Sequence, residues 1–223
     1  MRKKVIVAAV AVLFIVGGIA AWQLSDQEAA RSNSTVAPDT KASLETTAAM
    51  KEQEAKFRTY AGNDYDRYYI ANMIGHHEGA VDMAEVALTN ARHPELKTLA
   101  NNIISAQNKE IATMLEWQKA WGYPASSGEG MVDHSAMNMK DDMALLTEEL
   151  KKKTGDDFDK AFLQAMIAHH ESAIAMSRPG ADNAKHQEVK DLSAAVITDQ
   201  TKEVLQMRKW HQEWGYGQVP TQT

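Results

Sequence analysis

Displaced by 93 residues, the chain matches itself: Asp64–Tyr123 aligns with Asp157–Tyr216 without a gap, and 24 of the 60 paired positions are identical. A repeat of this length is a supersecondary unit that cannot bury its apolar face alone. No stretch alternates apolar and polar residues with period two over a useful length, so strands are not expected. "NDYDRYYIANMIGHHEGAVDMAEVALTNA" opens with Asn63 or Asp64 as a helix N-cap and carries acids in its first turn. "HPELKTLANNIISAQNKEIATMLEWQKAW" has Pro94 in its first turn and Gly122 as its C-cap. Within it Leu96, Leu99, Ile103, Ile104, Ile111, Met114 and Leu115 fall at three- and four-residue spacings, an apolar stripe. Each copy therefore reads as a helical hairpin. Two hairpins close into an all-α antiparallel four-helix bundle over residues 61–216, with repeats 64–123 and 157–216.

The segment 124–156 connects the copies. Its first part is a Gly/Ser loop holding Met131, His134, Met137 and Met139; its second part, Asp141–Lys153, reads as a short amphipathic helix. Ahead of the bundle, Arg2, Lys3 and Lys4 precede an 18-residue apolar run, Val5–Trp22, within a segment bounded at residues 1–24. That length lies between a signal peptide and the shortest membrane span. Cleavage sites after it are poor, so an uncleaved apolar helix anchored in the membrane by residues 5–22 is the favoured reading. Either way the positive end stays inside and the bundle is extracytoplasmic: periplasmic, surface-held or secreted. Residues 25–60 read as a tether, rich in Ser, Thr and Ala up to about Ala49 and with a helical pattern starting near Leu44, and 217–223 as a tail.

A net charge of −6, without a basic stripe, argues against nucleic acid as a partner. Twelve methionines and no cysteine restrict soft-metal chemistry to thioether sulfur and imidazole nitrogen. These types recur at matched places. "MIGHHEGAVDM" supplies Met73, His76, His77 and Met83; "MIAHHESAIAM" supplies Met166, His169, His170 and Met176. Spacings of three, four and seven put each set on one broad helix face. Adjacent histidines lie about 100° apart around the axis, so one of each pair is expected inside and the other at the edge. Folding each hairpin back on itself places His76 level with position 108, near Gln107, Glu110 and Ile111, with Met114 a turn farther on. Gln200, Glu203 and Met207 take the same places in the second hairpin. Two-fold pseudosymmetry would bring the two histidine faces together.

Thioether with imidazole selects copper, as Cu(I), over zinc. Neither Glu-x-x-His nor His-Glu-x-x-His occurs, which disfavours di-iron and zinc-protease sites. Met131, His134, Met137 and Met139 add a second group of soft ligands. The plainer readings stand beside these. A helical methionine stripe is ordinarily core filler, which applies to Met83, Met176, Met114 and Met207. Duplication copies structural histidines as faithfully as ligands. His93 and His186 open helices and read as capping or surface residues; Trp117, Trp121, Trp210 and Trp214 read as packing at the bundle ends. His211 aligns with Gln118 and lacks the repeat's support. Glu78 and Glu171 either orient a histidine or face solvent.

The doubled MIxHHxxAxxM, each copy followed by a helix ending WxxxWGY, resembles the domain of unknown function 305 family over about Asn63–Tyr216. The resemblance implies a ferritin-like four-helix bundle in exported bacterial proteins, some associated with copper binding and copper tolerance. The family pattern falls on Met73, His76, His77, Met83, Met166, His169, His170 and Met176. The first expectation is a non-enzymatic protein that sequesters Cu(I) or passes it to another copper-handling protein. The alternatives are a cuprous or ferrous oxidase and an anchored bundle whose histidines are structural.

Overall fold

The computed structural model describes residues 47–124 and 134–219, and over 134–142 the backbone. The apolar segment 5–22, most of the expected tether and Met131 lie outside the described residues. The fold is all-α: α1 (Ala48–Arg58), α2 (Asn63–Asn90), α3 (Pro94–Trp121), α4 (His134–Lys151), α5 (Gly155–Ser177), α6 (Gly180–Asn183) and α7 (Gln187–Glu213). α2 with α3, and α5 with α7, are the two hairpins, and α2 and α5 meet at the centre. Among the described residues no helix is long and apolar enough to cross a membrane.

Local signals account for most helix ends. Pro94 opens α3, where its missing N–H costs nothing, and Gly122 closes it in the left-handed region at φ 70°. The N-cap of α2 is Gly62, at φ 62°, rather than Asn63 or Asp64. Gly155, its counterpart in the second copy, has φ 63°. α5 stops at Ser177 ahead of Pro179, and the chain continues as the single turn α6. Gly180 there lies so close to Ser193 of α7 that any side chain would clash.

Three stretches depart from the sequence reading. Residues 48–58, assigned to the tether, form α1, which packs on α5 through a helix burying Met50 and Phe57. His134, Met137 and Met139, assigned to a Gly/Ser loop, sit on α4, which begins at His134 and not near Asp141. In the expected tail, Val219 packs against the core, and the Gly217 carbonyl accepts the Nδ1 proton of His211 at 3.0 Å.

The core divides into two clusters. One joins the end of α2, the start of α3, the start of α5 and the end of α7, and contains Met83, Met166, Met207, Phe158 and Phe162. The other joins the opposite ends and contains Met73, Met114, Met176, Tyr65 and Tyr69. The four repeated histidines fall between the two along α2 and α5.

At both ends of the bundle, one hairpin's bend is held by the other hairpin. Buried Asp66 of α2 accepts the backbone N–H groups of Lys185 (3.0 Å) and His186 (3.1 Å), and the His186 Nδ1 proton at 2.6 Å. Buried Asp159 of α5 does the same for Arg92 (2.9 Å), His93 (3.0 Å) and His93 Nδ1 (2.6 Å). His186 stacks on Trp121 and His93 on Trp214, each at 3.8 Å between centroids. The Tyr123 and Tyr216 hydroxyls donate to Asn63 and Asp156. His93 and His186 thus occupy N-cap positions, but each ring serves the opposite hairpin.

Candidate metal centre

The histidines of "MIGHHEGAVDM" and "MIAHHESAIAM" are all buried, His77 and His170 completely. The 100° step between neighbours on a helix gives the two members of each pair different partners. His76 and His169 face one another between α2 and α5, with ring centroids 3.6 Å apart. His77 turns within its own hairpin, its Nε2 2.6 Å from Glu110 Oε2 on α3. His170 repeats this contact with Glu203 of α7 at 2.7 Å. Within each pair the rings are 6.4 and 6.2 Å apart, so four imidazoles occupy one layer of the bundle. The expectation that one histidine of each pair lies at the edge is corrected: both are interior, because α3 and α7 cover the second.

Burial, and secondarily the neighbouring histidines, hold the His76 and His169 rings well below the usual histidine range. Each ring therefore favours its neutral form, with one nitrogen carrying a proton and the other a free lone pair. The Nδ1 atoms of all four rings are buried without a hydrogen-bond partner, as is Nε2 of His169. The amide oxygens of Gln107 and Gln200, from matched positions on α3 and α7, are also buried and unpartnered. A buried polar atom without a partner costs about 1–3 kcal/mol. Several in one layer suit a ligand that accepts lone pairs, and neutral imidazole is such a donor for transition metals.

The repeat methionines are fully buried and sort three to a side: Met73, Met114 and Met176 in one core cluster, Met83, Met166 and Met207 in the other. The structure therefore does not gather all six into one cluster with the histidines; the thioethers pack at the two ends of the layer. His134, Met137 and Met139 lie on the first turns of α4, whose later part packs on α2. There Met143 rests on Gly79: a Cβ added to Gly79 would come within 3.2 Å of Met143 Cβ. Sequence reasoning did not single out Met143, whose place follows from α4 docking on α2. It placed Glu110 and Glu203 near the histidines without making them part of the site. Glu171 is buried against Arg208 of α7, whereas Glu78 is exposed.

Among the described residues, the one group of three His, Asp or Glu side chains whose potential ligand atoms lie within 4.8 Å of one another is His93, Asp156 and Asp159, not the histidine layer. Its chemistry is already committed. Asp159 accepts three hydrogen bonds, and Asp156 pairs with Arg92 and Tyr216. The matched position at the other end is Asn63, and the bend is held there in the same way. His211, fully buried, donates from Nδ1 to Gly217 and meets the Gln164 amide nitrogen through Nε2 at 3.2 Å, a structural histidine.

The sequence model of the domain of unknown function DUF305 matches residues 16–95 and 69–211. Among solved structures, the chain is similar to CopM in its Cu(I)-bound form, with 36% identity and a TM-score of 0.55, covering 68% of this chain and 98% of that one. For CopM in its Cu(II)-bound form the identity is 38% and the TM-score 0.55, covering 67% and 97%. A DUF305 fragment from Deinococcus radiodurans is 26% identical, with a TM-score of 0.56 over 64% of this chain and 91% of that one. No functionally curated protein matches.

Proposed function

This chain belongs to the DUF305 family, and on that premise we propose that it binds copper outside the cytoplasm, holding Cu(I) in the histidine layer. The observation that carries this reading is the set of four buried imidazoles whose Nδ1 atoms have no hydrogen-bond partner. His76, His77, His169 and His170 supply the nitrogen donors. Met73, Met83, Met114, Met166, Met176 and Met207, packed at the two ends of the layer, supply thioethers that favour Cu(I). His134, Met137 and Met139, in the first turns of α4, would supply a second set of soft ligands from which the ion is captured or handed to a partner. The absence of cysteine supports the choice of ligands, and the similarity to CopM, described in Cu(I)- and Cu(II)-bound forms, supports the metal. Residues 5–22 would anchor the bundle on the outer side of a membrane. The role we propose is sequestration or transfer of the ion.

The test is anaerobic Cu(I) titration against a competing chromophoric chelator. It compares wild type with His76/His77/His169/His170→Ala and with His134/Met137/Met139→Ala. Loss of at least 100-fold in affinity in the first variant, with less than 10-fold in the second, is the expected result. Equal weak binding by wild type and the first variant would reject the histidine layer as the site.

A further inference from the structure

We propose that Glu110 and Glu203 are positioning residues that set the tautomer of His77 and His170. Each ring keeps its proton on Nε2 and presents a bare Nδ1 to the interior as the metal donor. The inference rests on the copper reading above and deepens it. Its structural basis is two contacts of the same kind, Nε2 to carboxylate oxygen at 2.6 Å on one hairpin and 2.7 Å on the other. A carboxylate only accepts, so at this separation Nε2 must carry the proton. The opposite tautomer would set two lone pairs against each other across the same gap. A doubly protonated ring would instead point an Nδ1–H into the interior, where neither His77 nor His170 has an acceptor. A neutral ring with its proton toward the glutamate remains, and its other nitrogen is a free lone pair.

The placement of the glutamates fits this role. Their side chains are 28% and 27% exposed while the rings are fully buried. Each glutamate side chain is part-exposed and lies on the Nε2 side of its ring, away from the buried Nδ1. A carboxylate behind a ligating imidazole orients the ring and raises its basicity; losing such a group typically costs 10- to 100-fold in metal affinity. Because Nε2 already holds its proton, an ion arriving at Nδ1 displaces no proton from these two rings. The two copies are not equivalent, since Arg208 and Glu171 pair beside the second, where the first copy has Leu115 and Glu78.

The experiment is ring-nitrogen NMR on the full-length, 15N-labelled protein, first without metal and then through addition of Cu(I), which is diamagnetic. Wild type is expected to show protonated Nε2 and unprotonated Nδ1 at His77 and His170. Added Cu(I) should move the Nδ1 resonances while the Nε2 protons stay. Glu110→Gln/Glu203→Gln keeps the shape but lets the amide either donate or accept. It should populate the second tautomer and lower Cu(I) affinity 10- to 100-fold at an unchanged helical content. A proton on Nδ1 of either ring in the metal-free wild type overturns the proposal, and so does a Gln variant that binds Cu(I) within twofold of wild type. If the tautomers are as assigned and wild type fails to bind Cu(I), the copper reading falls, and the donor role of Nδ1 falls with it.

Discussion

His76 of α2 and His169 of α5 lie ring against ring, 3.6 Å between centroids, at the centre of the contact between the two hairpins. Burial, with the neighbouring histidines, holds both rings well below the usual histidine range, so the folded pair resists protonation. Protons that the unfolded chain accepts are thereby refused by the folded one.

Acid should therefore destabilise the metal-free protein through these two residues. Both rings are held well below the usual range by burial, while in the unfolded chain they titrate near 6.5. Below that pH the unfolded state binds up to two more protons. Stability is complete above about pH 6.5 and falls as pH drops toward the folded values. Two protons at about 1.4 kcal/mol each give a limiting slope of about 2.7 kcal/mol per pH unit. Urea unfolding between pH 7.5 and 5 measures it. The excess slope of wild type over His76→Gln/His169→Gln isolates the pair from the carboxylates. Parallel curves for the two proteins would refute the assignment.

The two glycines of "MIGHHEGAVDM" should respond oppositely to a methyl group. A Cβ at Gly75 meets nothing within 4 Å, and the matched residue is Ala168. Gly75→Ala should stabilise by about 0.5–1 kcal/mol through the lower entropy of the unfolded chain. At Gly79 the new methyl would press on Met143 Cβ and Cγ, at 3.2 and 3.3 Å, close to the α4 backbone. Gly79→Ala should lose about 1 kcal/mol. Thermal melts resolve this, since 1 kcal/mol moves the midpoint of a domain this size by about 2–4 °C. Equal gains at both positions would show that α4 does not rest on Gly79.

The carboxylates at the bundle ends should be structural rather than metal-binding. Asp66→Ala strands two backbone N–H groups and the Nδ1 proton of His186. At about 1–3 kcal/mol per stranded group, the loss should reach roughly 3 kcal/mol. Asp159→Ala should cost the same at the other end. Cu(I) affinity, measured by chelator competition on the folded variants, should change less than threefold. A tenfold loss confined to Asp159→Ala would instead identify His93, Asp156 and Asp159 as a ligand set.

How much of this could be read beforehand depends on the range of the interactions. The hairpin register was legible, because a short bend between two long helices fixes which residues lie level. His76 was expected opposite position 108, and its neighbour His77 contacts Glu110. The meeting of His76 with His169 followed from the 93-residue offset once the copies were treated as two-fold related. The destination of each second histidine was not legible, because it depends on how far α3 and α7 wrap the central pair. α1 was kept within the tether, despite a helical pattern near Leu44, because it buries only Met50 and Phe57, too sparse a pattern to separate a helix from a tether. The start of α4 was missed because methionine and histidine after a run of glycine and serine read equally well as a ligand loop. The stacking of His93 on Trp214 joins opposite hairpins, and no single hairpin's pattern contains it.

The break in α5 bears on which hairpins recognise each other. The Tyr65 hydroxyl donates to the carbonyl of Met176 just before that break, and the Tyr69 hydroxyl meets Ser177 at 2.9 Å. The matched residues at the other end are Phe158, Phe162 and Ala84, which ask for no such partners. If the first hairpins of two molecules paired, Tyr69 would face Ala84, and Tyr65 would face the Met83 carbonyl, already engaged within the unbroken α2. Two buried hydroxyls per hairpin would then go without their partners. A first hairpin emerging during synthesis is thereby discouraged from pairing with its like on a neighbouring chain and is left to wait for its own second half.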